Sequence, residues 1–266
     1  MVAEIWQFRD LIRRLILRGV QGQFRQSFLG YLWIVLPPIG TTLVFGLLRE
    51  ANVLAISDKP GGLPYTLFVL LGSTFWGYFT QLVIATSSSI SNAGALVSKI
   101  YFPREVLAVS SCGNAVINLL IRLIVVAITC VLIGFVPAWQ ALYALLIAVP
   151  MTAMGLGIGL LLAPIQTMTT DVGRGLELLF QFGMFMAPTV YPTPALSPDG
   201  GWTNALYWVH QLNPFSHFLY AIHGVFLNGA ISNVAGFNIA CALSAAVLLL
   251  GWRFFDICEP FLAERL

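Results

Sequence analysis

No charged residue occurs between Lys59 and Lys99, and after Arg122 none occurs until Asp171. Runs of that length do not suit a water-soluble fold. A soluble chain carries about 25% charged residues; here 9% are charged and 58% are hydrophobic. The environment that accepts such runs is a bilayer, which a helix of roughly 20 mostly apolar residues can cross. The sequence therefore predicts an all-α integral membrane protein, one domain over residues 1–266, with six transmembrane helices.

The expected spans are Tyr31 to Leu48, Tyr65 to Ile90, Val106 to Val136, Ala141 to Ile165, Leu178 to Tyr191 and Phe237 to Trp252. Pro37 and Pro38 lie near the start of the first, where neighbouring helices can tolerate a kink. Pro137 is expected to break the third. Gly155, Gly157 and Gly159 in the fourth would let another helix approach closely. The fifth is short and stops at Pro188-Thr-Val-Tyr-Pro192. Between spans five and six, residues 192–230 are aromatic and half-polar. They are read as short re-entrant helices on the outer face, allowed where protein or a cavity covers their backbone. A charged loop with Asp171, Arg174 and Glu177 should precede the fifth span, and a short tail with Arg253, Asp256, Glu259, Glu264 and Arg265 should end the chain.

Residues 1–30 carry an amphipathic interface helix. At about 100° per residue, Ile5, Phe8, Ile12, Leu15 and Ile16 share a side, with Arg14 and Arg18 opposite and Arg9 and Arg13 flanking. Arg25 also falls opposite if the helix continues past Gly19 and Gly22. Such a helix lies on the membrane surface; the competing reading packs it on the protein's own core. No cleavable signal peptide is visible, so the first span is expected to serve as its own insertion signal. Lys and Arg divide unevenly between the two faces. Arg9, Arg13, Arg14, Arg18, Arg25, Lys99, Arg104, Arg174, Arg253 and Arg265 fall on one, and Arg49 and Lys59 on the other. The positive-inside rule then puts both termini in the cytosol. It puts the loop 92–105 there too, where Lys99 and Arg104 suit a partner protein.

Four cysteines, Cys112, Cys130, Cys241 and Cys258, lie in or beside apolar runs without ligand-like spacing and read as small hydrophobes. His210, His217 and His223 suit an aromatic belt better than a metal site, which wants tighter spacing and usually a carboxylate. No acid pair or Ser/His/Asp arrangement stands out, so an enzyme has little support. Neither lysine sits in a G-x-x-x-x-G-K-[ST] loop, so the chain does not bind ATP in that manner by itself. Arg122 is the one charge well inside an expected span, on a helical face with Asn114 and Asn118. A buried Arg is costly unless solvated or paired. Two readings stay open: a pore-lining or phosphate contact, and a structural interhelix stripe or a snorkelling side chain. The aromatics Tyr191, Trp202, Tyr207 and Trp208 could stack on sugar faces or form an interface belt.

Several motifs, in order, carry a resemblance. Arg9-Asp10-Leu11, followed by Gln26-Ser27-Phe28-Leu29-Gly30-Tyr31-Leu32-Trp33, is similar to the interface helix and first-span opening of ABC-2 type permeases that export polysaccharides such as O-antigen, capsule and teichoic acid. Leu96-Val97-Ser98-Lys99-Ile100-Tyr101-Phe102-Pro103-Arg104-Glu105 resembles the coupling segment of that family. Ala187-Pro188-Thr189-Val190-Tyr191-Pro192 and Leu212-Asn213-Pro214 resemble its outer-face signatures, and Glu259-Pro-Phe-Leu-Ala-Glu264 resembles its tails. Two positions depart: His223 stands where the family often has Arg, and Arg122 where it is commonly apolar.

The resemblance implies a multi-pass protein of the bacterial inner membrane, working as two copies with two nucleotide-binding ATPase subunits that hold ATP and Mg. No cofactor in this chain and no nucleic acid are implied. The cargo would be a lipid-linked polysaccharide. Motor coupling would fall to Ser98, Lys99, Tyr101, Phe102, Pro103, Arg104 and Glu105. The lipid diphosphate would meet Arg14, Arg18, Arg25, Leu29 and Gly30. Asn114, Asn118, Arg122, Tyr191, Trp202, Tyr207 and Trp208 would line or gate the channel. The alternatives are an ABC-2 permease for a drug or simple lipid, and an integral membrane enzyme of envelope glycan synthesis.

Overall fold

The computed structural model describes residues 8–23, 27–54, 56–92, 105–169, 171–193 and 201–263, and among them every regular element is helical. The elements are α1 (Arg9–Gln23), α2 (Leu32–Glu50), α3 (Tyr65–Ser87), α4 (Glu105–Leu132), α5 (Tyr143–Met168), α6 (Asp171–Gly183), α7 (Trp202–Leu212), α8 (Pro214–Asn228) and α9 (Val234–Ala263). A four-residue turn, Ser89–Asn92, extends α3, and the 3-10 turn Trp139–Leu142 leads into α5. Among the described residues five helices are long and apolar enough to cross a membrane: α2, α3, α4, α5 with its lead-in turn, and α9.

α3 is the hub. Leu67, Leu71, Phe75, Tyr78 and Leu82 are fully enclosed within one apolar core. α3 packs against α2, α4, α5, α6 and α8, and α9 lies along the far side of α5. With no water to expel from between helices in lipid, small residues must let backbones close up. The three expected glycines do this on two faces of α5. A side chain at Gly155 would meet Leu82, one at Gly159 would meet Thr86, and one at Gly157 would stand 2.6 Å from the Val247 carbonyl of α9. Gly251 of α9 faces Gly157 in return.

Helix ends follow local chemistry and correct several expected limits. α4 stops at Leu132, short of Pro137. Gly134 turns left-handed (φ 67°), and the Phe135 N–H donates back to the Cys130 carbonyl at 2.9 Å, closing the helix as glycine caps do. At the end of α3 the hydroxyls of Ser87, Ser88 and Ser89 donate to the carbonyls of Ile84, Ile84 and Thr86 at 2.7–3.0 Å. The helix breaks there, before Ile90. α8 starts at an Asn-Pro pair: the Phe215 N–H donates to Asn213 Oδ1 at 3.0 Å, with Pro214 in the first turn. It ends at Gly229, φ 69°.

Asp171, Arg174 and Glu177 are not in a loop. They form the first turns of α6, where Asp171 suits the helix N-terminus. The glycines at 173 and 175 and the charges disguise an amphipathic helix whose stripe reaches Phe180. That helix ends at Gly183, followed by the turn Met184–Met186. Its thirteen residues span about 20 Å, less than a bilayer core. The expected tail is helical as well: α9 runs through Arg253, Asp256 and Glu259 to Ala263.

The apolar stripe of α1 is partnered within the chain. Phe8, Leu11, Ile12 and Leu15 pack on Val106 and Leu107 of α4, and Ile16 sits against Gly113. The stripe expected to face lipid therefore faces α4, while Arg13, Arg14 and Arg18 are exposed.

Because the Gly157–Gly251 crossing is backbone on backbone, Gly157→Leu should force α5 and α9 apart. Overpacking of this kind costs about 1–3 kcal/mol or more. The expected result is a lower melting temperature for the purified protein in detergent, with Gly46→Ala, where nothing lies within 4 Å, unchanged or raised. Equal melting of Gly157→Leu and wild type would contradict the close crossing.

Candidate functional site

The proline pair of α2 creates the first polar feature inside the bundle. A helical carbonyl accepts from the N–H four residues on, and proline has none. Pro38 therefore leaves the Ile34 carbonyl without its own helix partner, and Pro37 does the same to Trp33. Thr41 and Thr42 compound the break by donating to the carbonyls of Pro37 and Pro38 at 3.0 and 2.7 Å. The Ile34 carbonyl is satisfied from another helix: Arg122 of α4 donates through Nε at 3.1 Å. The guanidinium fits because α3 carries glycine beside it. A side chain at Gly77 would come within 2.8 Å of Nη1.

Around this contact lies a cleft of about 490 Å³. Trp33, Ile34 and Pro37 line it from α2, Gly77, Thr80, Gln81, Ile84 and Ala85 from α3, and Asn118 and Arg122 from α4. Asn118 and Arg122 are 3% and 9% exposed. Arg122 Nη1 and Gln81 Oε1 are buried without a hydrogen-bond partner among the described residues, and no carboxylate lines the cleft. Asn114 belongs elsewhere. Its side chain closes on Gly19 of α1, so only two of the three expected stripe residues line the cleft. Thr80 and Gln81 were missed. The signal for them was the lone amide in the apolar run of α3, one turn after Gly77.

The aromatic residues form a separate cluster. The Tyr191 hydroxyl donates to the Phe185 carbonyl, and its ring stacks on His210 with centroids 5.6 Å apart. Thr193 Oγ1 and His210 Nδ1 are 2.8 Å apart. Tyr207 and Trp208 meet edge to face at 5.5 Å, and Trp202 is 92% exposed. Asn213 Nδ2 donates to the Met186 carbonyl at 3.1 Å, tying α7 to the end of α6. Below, Trp76 donates to the Phe180 carbonyl at 3.1 Å, and Trp76, Phe79, Phe180 and Phe215 pack as one group.

The histidines are not belt residues. His210 is fully enclosed, His217 Nε2 donates to the Gln211 carbonyl at 2.9 Å, and His223 stacks on Phe68 at 4.3 Å. Sequence reasoning had no view of Phe68 as a partner, which comes from a distant helix. Burial pushes the His210 imidazole below its ordinary range and His223 down to about 4. Both helices lie outside the five spans.

Of the diphosphate set, Arg14 and Arg18 are exposed on α1. Leu29 and Gly30 form the left-handed turn before α2 (Gly30 φ 51°), held by Ser27 Oγ accepting from the Gly30 N–H at 3.2 Å. Phe28 beside them is entirely exposed. Arg25 lies outside the described residues, as do Ser98, Lys99, Tyr101, Phe102, Pro103 and Arg104. Glu105 is described: it begins α4 and is buried.

The profile of the ABC-2 type transporter family matches residues 10–227. An O-antigen export system permease protein RfbA of Myxococcus xanthus is 24% identical over 266 residues, covering 100% of this chain and 99% of the relative. A protein of the same name from Klebsiella pneumoniae is 20% identical over 258 residues, covering 97% and 95%.

Since the folded His210 and His223 resist protonation, an opened chain binds more protons below about pH 6.5, the ordinary histidine value. Stability is then complete above that pH and falls as the pH drops through it. Melting in detergent should fall between about pH 7.5 and pH 5, and less steeply in His223→Gln. An identical slope in the variant would remove His223 from this account.

Proposed function

The chain belongs to the ABC-2 type transporter family, and from that footing we propose that it is the membrane subunit of an ATP-driven exporter of a lipid-linked polysaccharide. What carries the reading is its likeness, essentially end to end, to permeases named for O-antigen export. The bundle supports it: membrane-length helices enclose a polar cleft, and neither lysine sits in a phosphate-binding loop.

In this reading two copies flank a channel in the bacterial inner membrane. Two separate ATPase subunits, holding ATP and Mg, dock on the segment from Leu96 to Glu105. Both termini are cytosolic. α6 and the turn after it make a short sixth crossing, and α7 with α8 form a re-entrant pair on the outer face. Closure of the motor on ATP pushes the coupling segment against α4, whose first half carries α1. The arginines Arg14, Arg18 and Arg25 meet the diphosphate at the inner surface, since guanidinium forks suit phosphate oxygens. Trp202, Tyr207 and Trp208 guide the glycan outside.

Charge reversal at Lys99→Glu or Arg104→Glu should leave the protein in the membrane, while glycan export and glycan-stimulated ATPase activity are lost. Wild-type export by both variants would count against a motor contact there. Sidedness has its own check. In a chain without its four native cysteines, a cysteine at Trp202 should react with an impermeant maleimide on intact spheroplasts, and one at Arg14 only after lysis. The reverse pattern would invert the topology.

A further inference from the structure

The cleft between α2, α3 and α4 holds an uncompensated cation deep in the membrane. Arg122 is ten positions before the end of α4 at Leu132, or about 15 Å along the helix. In the other direction it is eight positions beyond Asn114, whose side chain closes on Gly19 of α1, or about 12 Å. Both distances put it near mid-bilayer. Its Nε is used on the Ile34 carbonyl, which is a dipole and leaves the positive charge in place.

Among the described residues the remaining lining carries two amides and no acid. Asn118 and Gln81 offer amides, and Arg122 has Nη1 without an acceptor. Turned about its last torsion, the Gln81 amide presents its NH₂ in place of the unpartnered oxygen. A neutral ligand would leave the charge unmatched, and a cation would be repelled. A group with several acceptor oxygens and negative charge satisfies every one of these side chains. The volume, about 490 Å³, falls within the roughly 300–1,000 Å³ of small-molecule sites.

We propose that this cleft is an oxyanion station, taking the phosphate oxygens of a lipid phosphate through Arg122, with Gln81 and Asn118 as supporting donors. That the phosphate belongs to the cargo rests on the export reading above; the oxyanion chemistry of the cleft does not. The two sources sharing this chemistry are the cargo's diphosphate and the headgroup of an anionic phospholipid.

The test is direct binding to the purified full-length chain in phosphatidylcholine nanodiscs, with a polyprenyl diphosphate and the matching neutral polyprenol as probes. Wild type should prefer the diphosphate by at least tenfold. Arg122→Met should abolish that preference, Arg122→Lys should keep part of it, and Gln81→Leu should weaken it severalfold. Should Arg122→Met fail to elute as a single species, Gln81→Leu and Asn118→Leu decide, since both leave the Arg122–Ile34 bond in place. Competition by phosphatidylglycerol at equal concentration, with the same dependence on Arg122, supports the station and assigns it to membrane lipid. Competition by phosphatidylglycerol only in large excess assigns it to cargo. No preference in wild type, or one unchanged across these variants, overturns the proposal. Export by the Lys99→Glu and Arg104→Glu variants is a separate readout: diphosphate binding together with wild-type export in both would count against the motor contact and leave the cleft standing.

Discussion

Two prolines set a problem that another helix solves. In lipid an unsatisfied carbonyl costs several kcal/mol, and Pro38 removes the donor that the Ile34 carbonyl would otherwise meet. Arg122 supplies it from α4. The same bond eases the opposite problem, a guanidinium with nowhere polar to go. Gly77 on α3 provides the room, so three helices are committed by one contact. Replace any of the three residue types and the other two lose their justification. The cleft is the space this arrangement leaves open.

The two halves of the bundle are built differently. α3, α5 and α9 meet through glycines and buried apolar side chains, with carbonyls close enough that a single methyl would intrude. α2 is attached more lightly. Leu36, Leu43, Val44 and Leu47 face outward, and its polar anchor in the bundle is the Ile34 carbonyl. α2 is the least enclosed of the membrane-length helices among the described residues.

How much of this was legible depended on whether the deciding signal was local. Membrane class, five of the six expected spans and the close-approach role of Gly155, Gly157 and Gly159 all follow from composition and small-residue spacing, and the structure agrees. Helix ends were misjudged where one residue overrode the pattern: Gly134 stops α4 before Pro137 can, and Asp171 starts α6 inside what reads as a loop. The stripe of α1 was read correctly as a stripe, but its partner, Val106 and Leu107, lies beyond any local window. The same is true of His210 and His223, whose neighbours Thr193 and Phe68 turn apparent belt residues into enclosed ones; His217 meets Gln211, six residues away. Arg122 was visible as an anomaly from the start. What could have been added is that Pro37-Pro38 leaves two carbonyls needing donors, and that one cationic side chain was available to reach one of them.

A cation at that depth has a price in insertion, about 2.5–3.5 kcal/mol on the biological scale, which a neutral core residue would not incur. A structural role alone needs only a neutral donor, such as an amide, to reach the Ile34 carbonyl. An Arg–carboxylate pair would also have been satisfied, but it would have had no reason to meet a passing anion. A lone guanidinium among neutral amides is the combination that still attracts an oxyanion. It does so without neutralising a diphosphate, which carries more than one negative charge. For a path this matters, because a site must bind well enough to admit its cargo and weakly enough to release it. In the export arrangement proposed above, a single arginine with its Nε already held by the Ile34 carbonyl would meet both conditions.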